Sequence, residues 1–336
     1  MKNLINGKNI LVTGGTGSFG YAFTNHLLKN YKPKKIIIFS RDEFKQYEMQ
    51  KKFPIKKYPV LRYFIGDVRD KDRLRRAMEN VNILIHAAAL KQVDTAEINP
   101  MEVIKTNIFG AQNIIDLSLD LEVENVIALS TDKASSPINL YGATKLCSDK
   151  LFVTANNIKG SKKIKFSVVR YGNVLGSRGS VLPVFLKHKD RKYFPLTHRD
   201  MTRFNITLEE GVNFVIDALK KNKGGEIFVP KIPSFKITDL AFAIKEKPKF
   251  KIIGVRKGEK IHEELISNSE CLHTVEDKNS YIILANHNSL EFKKYIKKSK
   301  LKKVKGDFNF TSDKNKFFLN VNQIKKLLKK EQLDKY

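Results

Sequence analysis

Only two cysteines occur in the chain, Cys147 and Cys271, far apart and without metal-ligand spacing. This excludes a disulfide framework and fits a reducing compartment. No apolar run is long enough to span a bilayer, and no signal peptide precedes the first apolar segment. A cytoplasmic protein without a membrane partner is therefore expected. His262-Glu263-Glu264-Leu265-Ile266 opens like a zinc-protease helix but lacks the second histidine, so no metal is expected. Internal repeats and low-complexity linkers are missing too. Acidic side chains are scarce, 35 Asp and Glu against 63 Lys and Arg, for a net charge of +28. Such a surplus invites a nucleic-acid reading. The lysines are scattered, however, with no basic stripe interleaved with aromatics. No nucleic-acid partner is expected, and attraction of an anionic nucleotide remains as a use for the charge.

What the chain does have begins near its start. Ile10-Leu11-Val12-Thr13 runs into Gly14-Gly15-Thr16-Gly17-Ser18-Phe19-Gly20, and a helical rhythm of Tyr21, Phe23, Leu27 and Leu28 follows. Gly14, Gly17 and Gly20 form a GxxGxxG pattern between a strand and a helix. Glycines there let the backbone turn tightly and approach a pyrophosphate, which the helix N-terminus favours. Gly14, Thr16, Gly17, Ser18, Phe19 and Gly20 are thus expected to bind a dinucleotide. The next strand, 35–40, ends in Ser40-Arg41, where an NAD site would often carry an acid. A hydroxyl and a guanidinium suit a 2′-phosphate, which points to NADP, with Asp42 as a helix cap.

Further apolar runs end in polar or small residues at regular spacing. Residues 61–65 lead to Gly66-Asp67-Val68, 81–85 to His86-Ala87-Ala88-Ala89, 123–129 to Ser130-Thr131-Asp132-Lys133, and 165–170 to Tyr171-Gly172-Asn173. Short buried strands alternating with helices imply a doubly wound parallel sheet, with ligands at the carboxyl ends of the strands. Asp67, Val68, Ala87, Ala88 and Ala89 accordingly join the expected cofactor site. The fold class is α/β, a Rossmann-type doubly wound parallel sheet with a smaller C-terminal substrate-binding domain. Residues 1–172 are expected to form the NADP-binding domain, with 205–229 returning to it. Residues 173–204 and 230–336 are assigned to the substrate-binding domain and tail.

Chemistry concentrates after the fifth of these runs. Tyr141 and Lys145 are four residues apart, so on a helix they share a face. An ammonium beside a phenol favours the phenolate, a base for an alcohol whose hydride leaves for a nicotinamide. Thr131 is placed to hydrogen-bond the same hydroxyl, and Asp132-Lys133 add an acid–base pair that simple alcohol oxidation does not need. Further on, Arg178, Arg203 and Arg256 are candidates for a diphosphate, because a planar guanidinium fork suits phosphate oxygens.

Taken together, these motifs resemble the extended short-chain dehydrogenase/reductases. Within that group they are most similar to the inverting UDP-N-acetylglucosamine 4,6-dehydratases of pseudaminic acid biosynthesis. The resemblance is densest in 13–20, 39–43, 64–70, 86–91, 128–151, 168–181, 224–237 and 256–263. It implies that Asp132, Lys133 and Tyr141 are catalytic, supported by Lys145 and Thr131. It also implies a UDP-sugar held by Lys91, Asn173, Arg178, Val181, Thr202, Arg203, Arg256 and Glu259, and a homo-oligomer. In the reaction it implies, Tyr141 takes the C4 hydroxyl proton, Lys133 the C5 proton, and Asp132 protonates the departing C6 hydroxyl. Lys133 is expected to be neutral through burial and the nearby charge of Lys145. The chain departs from the family's usual pattern at Gln92, His198, Asp200, Asn205 and Thr311–Asn315. A C5-retaining dehydratase or a C4 epimerase on a related nucleotide sugar remains the alternative.

Overall fold

The computed structural model describes residues 2–177, 179–285 and 290–333. Six strands come first: β1 (Asn9–Thr13), β2 (Lys35–Ser40), β3 (Leu61–Ile65), β4 (Ile83–His86), β5 (Asn125–Thr131) and β6 (Lys165–Tyr171). They lie in the order β3-β2-β1-β4-β5-β6, every pairing parallel. The interiors of β1, β2 and β4 are buried on both faces, as the unbroken apolar runs require. Helices make the crossovers, and short polar side chains start several of them. Asp42 accepts from the Lys45 backbone N–H at 2.9 Å, confirming its capping role, and Asn139 accepts from Gly142 at 2.7 Å. β1 pairs on one side with β2 and on the other with β4, so the connections diverge there and open a crevice at the strand ends.

The remaining strands are β7 (Asn173–Val174), β8 (Phe194–Leu196), β9 (Thr202–Ile206), β10 (Glu226–Pro230), β11 (Ser234–Lys236), β12 (Phe250–Ile252), β13 (Glu264–Ile266), β14 (Thr274–Glu276), β15 (Ser280–Leu284), β16 (Lys302–Lys303) and β17 (Phe310–Thr311). After the helix Leu208–Lys221, β10 joins β6 in parallel. The sheet does not stop there. β15, β14 and β16 extend it antiparallel, although 230–336 was expected to lie in the substrate-binding part. The cause is local: Asp277 Oδ1 accepts from Asn279 and Ser280 backbone N–H groups at 2.8 and 2.7 Å, turning a hairpin whose apolar β15 covers the open edge of β10.

A second core lies apart from the sheet. Leu182, Phe185, Phe194, Leu196, Leu240 and Ile324 are among its buried members, drawn from β8 and the helices Val181–Lys187, Ile237–Ile244 and Val321–Lys330. Of the small sheets, β12-β8 and the β11 strand of β11-β9-β7 contribute side chains to this cluster, whereas β9 and the pair β13-β17 bury theirs in the main core. Among the described residues, no helix is long and apolar enough to cross a membrane, and no side-chain group is arranged to hold a metal ion.

Candidate active site

A cavity of about 530 Å³ opens at the carboxyl ends of the parallel strands. The glycine turn forms its floor. Gly14 has φ +63°, and a Cβ on it would lie 2.8 Å from the Ala87 carbonyl oxygen, so only glycine fits. The Thr13 hydroxyl braces the facing turn, accepting from Ala87 and Ala88 N–H at 3.2 and 3.3 Å. The helix Ser18–Asn30 starts at Gly17 with no side chain capping it, which leaves its first N–H groups for an anion. Gly14, Thr16, Gly17, Ser18, Phe19 and Gly20 all line the cavity, as do Val68, Ala87, Ala88 and Ala89. A cradle this close to backbone, with an uncapped helix end, fits a dinucleotide.

At the end of β2, Thr16 donates to Ser40 Oγ at 3.1 Å, and half-exposed Arg41 pairs with Asp67 at 3.4 Å. Burial works against the Asp67 charge, but hydrogen bonds from Arg69 and the Arg41 charge outweigh it and hold the carboxyl below its usual range. Ser40, Arg41 and Asp67 share the cavity wall.

The catalytic candidates meet at the other end of the cavity. β5 runs into a single tight turn, Asp132–Ala134, against which the helix Leu140–Thr154 packs. A Cβ at Gly142 would collide with the Lys133 carbonyl oxygen, so a bare backbone is what lets helix and turn touch. Asp132 is 1% exposed; its Oδ1 accepts from the Thr131 hydroxyl at 2.9 Å and the Lys133 ammonium at 3.1 Å. Its Oδ2 has no hydrogen-bond partner among the described residues. Burial pushes the Asp132 carboxyl up, against the pull of Lys133. Tyr141 is buried beside them and hydrogen-bonded to Thr131; burial pushes its phenol up to about 12.

Two electrostatic expectations change here. Lys145 was expected to favour the Tyr141 phenolate, but its ammonium donates to the Leu129 carbonyl at 2.8 Å, and the cation bearing on the phenol is Lys133. Burial lowers Lys145, with Asp149 acting against it. Lys133 was expected to be neutral. Burial does favour the neutral amine, yet Asp132 and Glu263 each lie 3.1 Å from Nζ and together raise it well above the ordinary lysine range. The Lys145 charge has no such hold on it.

Glu263 is the residue that sequence reasoning missed. It lies in the zinc-like His-Glu-Glu stretch set aside for want of a second histidine. Nothing local connects it to Lys133, 130 positions away.

The substrate candidates separate into two groups. Lys91 and Asn173 line the cavity, and the Asn173 side-chain oxygen is buried with no hydrogen-bond partner among the described residues. Thr202, Arg203, Arg256, Glu259 and Val181 do not line it. Arg203 is buried, donating to the Thr202 and Ile261 carbonyls and facing Glu259 at 3.4 Å and Glu263 at 3.6 Å. Exposed Arg256 pairs with Glu259 at 3.2 Å and Asp94 at 3.7 Å. Thr202 hydrogen-bonds Ser312 and His262, and Val181 begins its helix. Arg178 lies outside the described residues.

A sequence profile of the family described as "Polysaccharide biosynthesis protein" matches residues 10–285. The chain belongs to that family. It is 53% identical over 331 residues to the "UDP-N-acetylglucosamine 4,6-dehydratase (inverting)" of Campylobacter jejuni, covering 97% of this chain and 98% of that one. A Rickettsia bellii protein named "UDP-glucose 4-epimerase" is 41% identical, over 96% of this chain and 95% of its own. Among solved structures, Pen from Bacillus thuringiensis superposes with a TM-score of 0.87 at 36% identity, covering 97% of this chain and 99% of Pen.

Proposed function

We propose that this family member is a C5-inverting UDP-N-acetylglucosamine 4,6-dehydratase. It converts UDP-N-acetylglucosamine to UDP-2-acetamido-2,6-dideoxy-β-L-arabino-hex-4-ulose and water, as an NADP-dependent hydro-lyase whose cofactor is recycled. The name of the Campylobacter relative supports the substrate and the stereochemistry. The observation that carries the reading is the ion pair of buried Asp132 with partly buried Lys133, beside Tyr141 in one cavity. A C4 epimerase has no step that needs such a pair. An early step of pseudaminic acid or another surface glycan, performed by a cytoplasmic homo-oligomer, is the setting we propose.

The glycine cradle, Thr16, Ser40 and Arg41 would hold NADP, which when bound supplies reversible hydride transfer. The protein's own groups move the protons. Tyr141 acts as its phenolate, its own proton having first left through the hydrogen-bonded Thr131 hydroxyl to the cavity; it then takes the proton of the C4 hydroxyl, and the resulting ketone makes the C5 proton acidic. Lys133 accepts that proton. Its ammonium must first release one, and the Glu263 carboxylate at 3.1 Å is an acceptor within reach. Asp132, with its carboxyl raised by burial, protonates the departing C6 hydroxyl. Lys91 and Asn173 face the sugar from the cavity wall. A diphosphate would compete with Glu259 for Arg203 and Arg256.

Incubation with UDP-N-acetylglucosamine in heavy water, followed by NMR from the earliest time points, tests this. The expected product carries deuterium at C5 in the L-arabino configuration. A D-xylo product would refute inversion, and UDP-N-acetylgalactosamine alone would establish an epimerase.

A further inference from the structure

We propose that Glu263 is a positioning residue of the dehydration step: it carries the charge balance of Lys133 and so leaves Asp132 free to keep the proton that the departing hydroxyl needs. This rests on the dehydratase reading above and deepens it.

The geometry places one ammonium between two carboxylates. Lys133 Nζ is 3.1 Å from Asp132 Oδ1 and 3.1 Å from Glu263 Oε1, with both acids almost wholly buried at 1% and 2% exposure. Lys133 alone cannot fully compensate both buried anions, so whichever acid lacks a second cation nearby favours its protonated form. The surroundings decide which. Glu263 also faces the Arg203 guanidinium from β9 at 3.6 Å and the Lys260 charge from the preceding loop. Asp132 has only Lys133 as a cationic neighbour within salt-bridge distance among the described residues, and on its other side lie the neutral Thr131 hydroxyl and Tyr141 phenol. The charged form is therefore better supported at Glu263. The shifts agree: burial lifts both carboxyls, Lys133 and Arg203 bring Glu263 back below its ordinary value, and Asp132 stays above its own.

The fold holds Glu263 in this place. Its backbone N–H donates to Ser312 Oγ at 2.8 Å, and the Ser312 N–H donates to the Glu263 carbonyl at 2.8 Å. Ser312 is itself hydrogen-bonded to Thr202 at 2.7 Å, and Thr202 to His262 at 2.9 Å. Lys260 reaches over to the Ser135 carbonyl at 2.7 Å, fastening the same loop to the turn that bears Lys133. Without Glu263, the whole Lys133 charge would fall to Asp132, which would then ionise at lower pH and lose its acid form.

The test compares wild type with Glu263→Gln and Glu263→Asp in full pH profiles of kcat and KM. Removing a charge at this distance should move the alkaline limb of kcat about one pH unit or more towards acid. Turnover at the wild-type optimum should fall about tenfold or more, with KM changed by less than about threefold. Single-turnover C4 oxidation should persist, and Glu263→Asp should restore the limb. Superimposable profiles in an active Glu263→Gln enzyme would overturn the proposal. Should Glu263→Gln not fold, infrared spectroscopy of wild type decides: a protonated carboxyl band lost in Asp132→Asn is expected near neutral pH, and its absence refutes the assignment. Failure of the dehydratase reading is recognised separately, by wild type yielding no 4-keto product.

Discussion

At the scale of single residues, cofactor choice and proton traffic are assigned to different side chains, and each can be tested alone. Arg41 stands half-exposed at the end of β2, where a 2′-phosphate would displace its weak pairing with Asp67. Arg41→Ala should weaken NADP about ten- to a hundredfold, the equivalent of about 1.5–3 kcal/mol for a charge-assisted hydrogen bond. NAD affinity should change far less. Equal losses in a binding titration would remove the 2′-phosphate from this site. Tyr141 and Asp132 should fail at different steps. Tyr141→Phe should abolish C4 oxidation, leaving no transient NADPH absorbance, whereas Asp132→Asn should oxidise C4 and then stall with NADPH accumulated. Full activity in Asp132→Asn would mean that another group is the acid.

At the scale of elements, the site depends on strand ends and helices meeting through small or polar residues. His86, at the end of β4, shows what this costs. The Thr13 hydroxyl accepts from two backbone N–H groups, so its own proton goes to His86 Nδ1 at 2.8 Å, and the ring must be neutral. Burial first, and the Lys145 charge second, bring His86 from 6.5 down to about 3. An unfolded chain binds this proton below about pH 6.5 and the native one does not. The stability it contributes is thus full above pH 6.5 and is lost as pH falls towards 3, on the order of 4 kcal/mol across that window. His86→Gln should flatten this part of the profile. Urea unfolding of both proteins at several pH values in that window checks it, and parallel profiles would exclude His86 as the cause.

For the whole molecule, the net charge of +28 acts at long range on a dianionic nucleotide sugar. Rising ionic strength screens that attraction. We expect kcat/KM to fall several-fold between low and high salt while kcat holds, and a flat salt dependence would show that the field does not steer substrate. Tertiary packing brings the distant segments of 202–203, 259–263 and 312 together beside Lys133. Asp132, Lys133 and Tyr141 come from a single local stretch, but their electrostatics depend on this assembly.

The residues that line the candidate cavity were largely legible in the sequence where their placement is local. Gly14 to Gly20, Ser40-Arg41 and Thr131 to Lys145 each lie at a strand end or on the first turns of the helix that follows, where periodicity and turn chemistry determine position. The parallel strand order followed for the same reason, since short strands alternating with helices allow few arrangements. Charge state was not local. Whether Lys133 is neutral or charged depends on a glutamate 130 residues away, and whether Lys145 serves the phenol or a carbonyl depends on how the helix sits on β5. Nor did the short apolar run Tyr281–Leu284 reveal that this hairpin would complete the central sheet rather than the smaller domain. Periodicity specifies which face of an element is apolar, and the partner for that face, like the partner for a buried charge, is chosen only when distant segments pack.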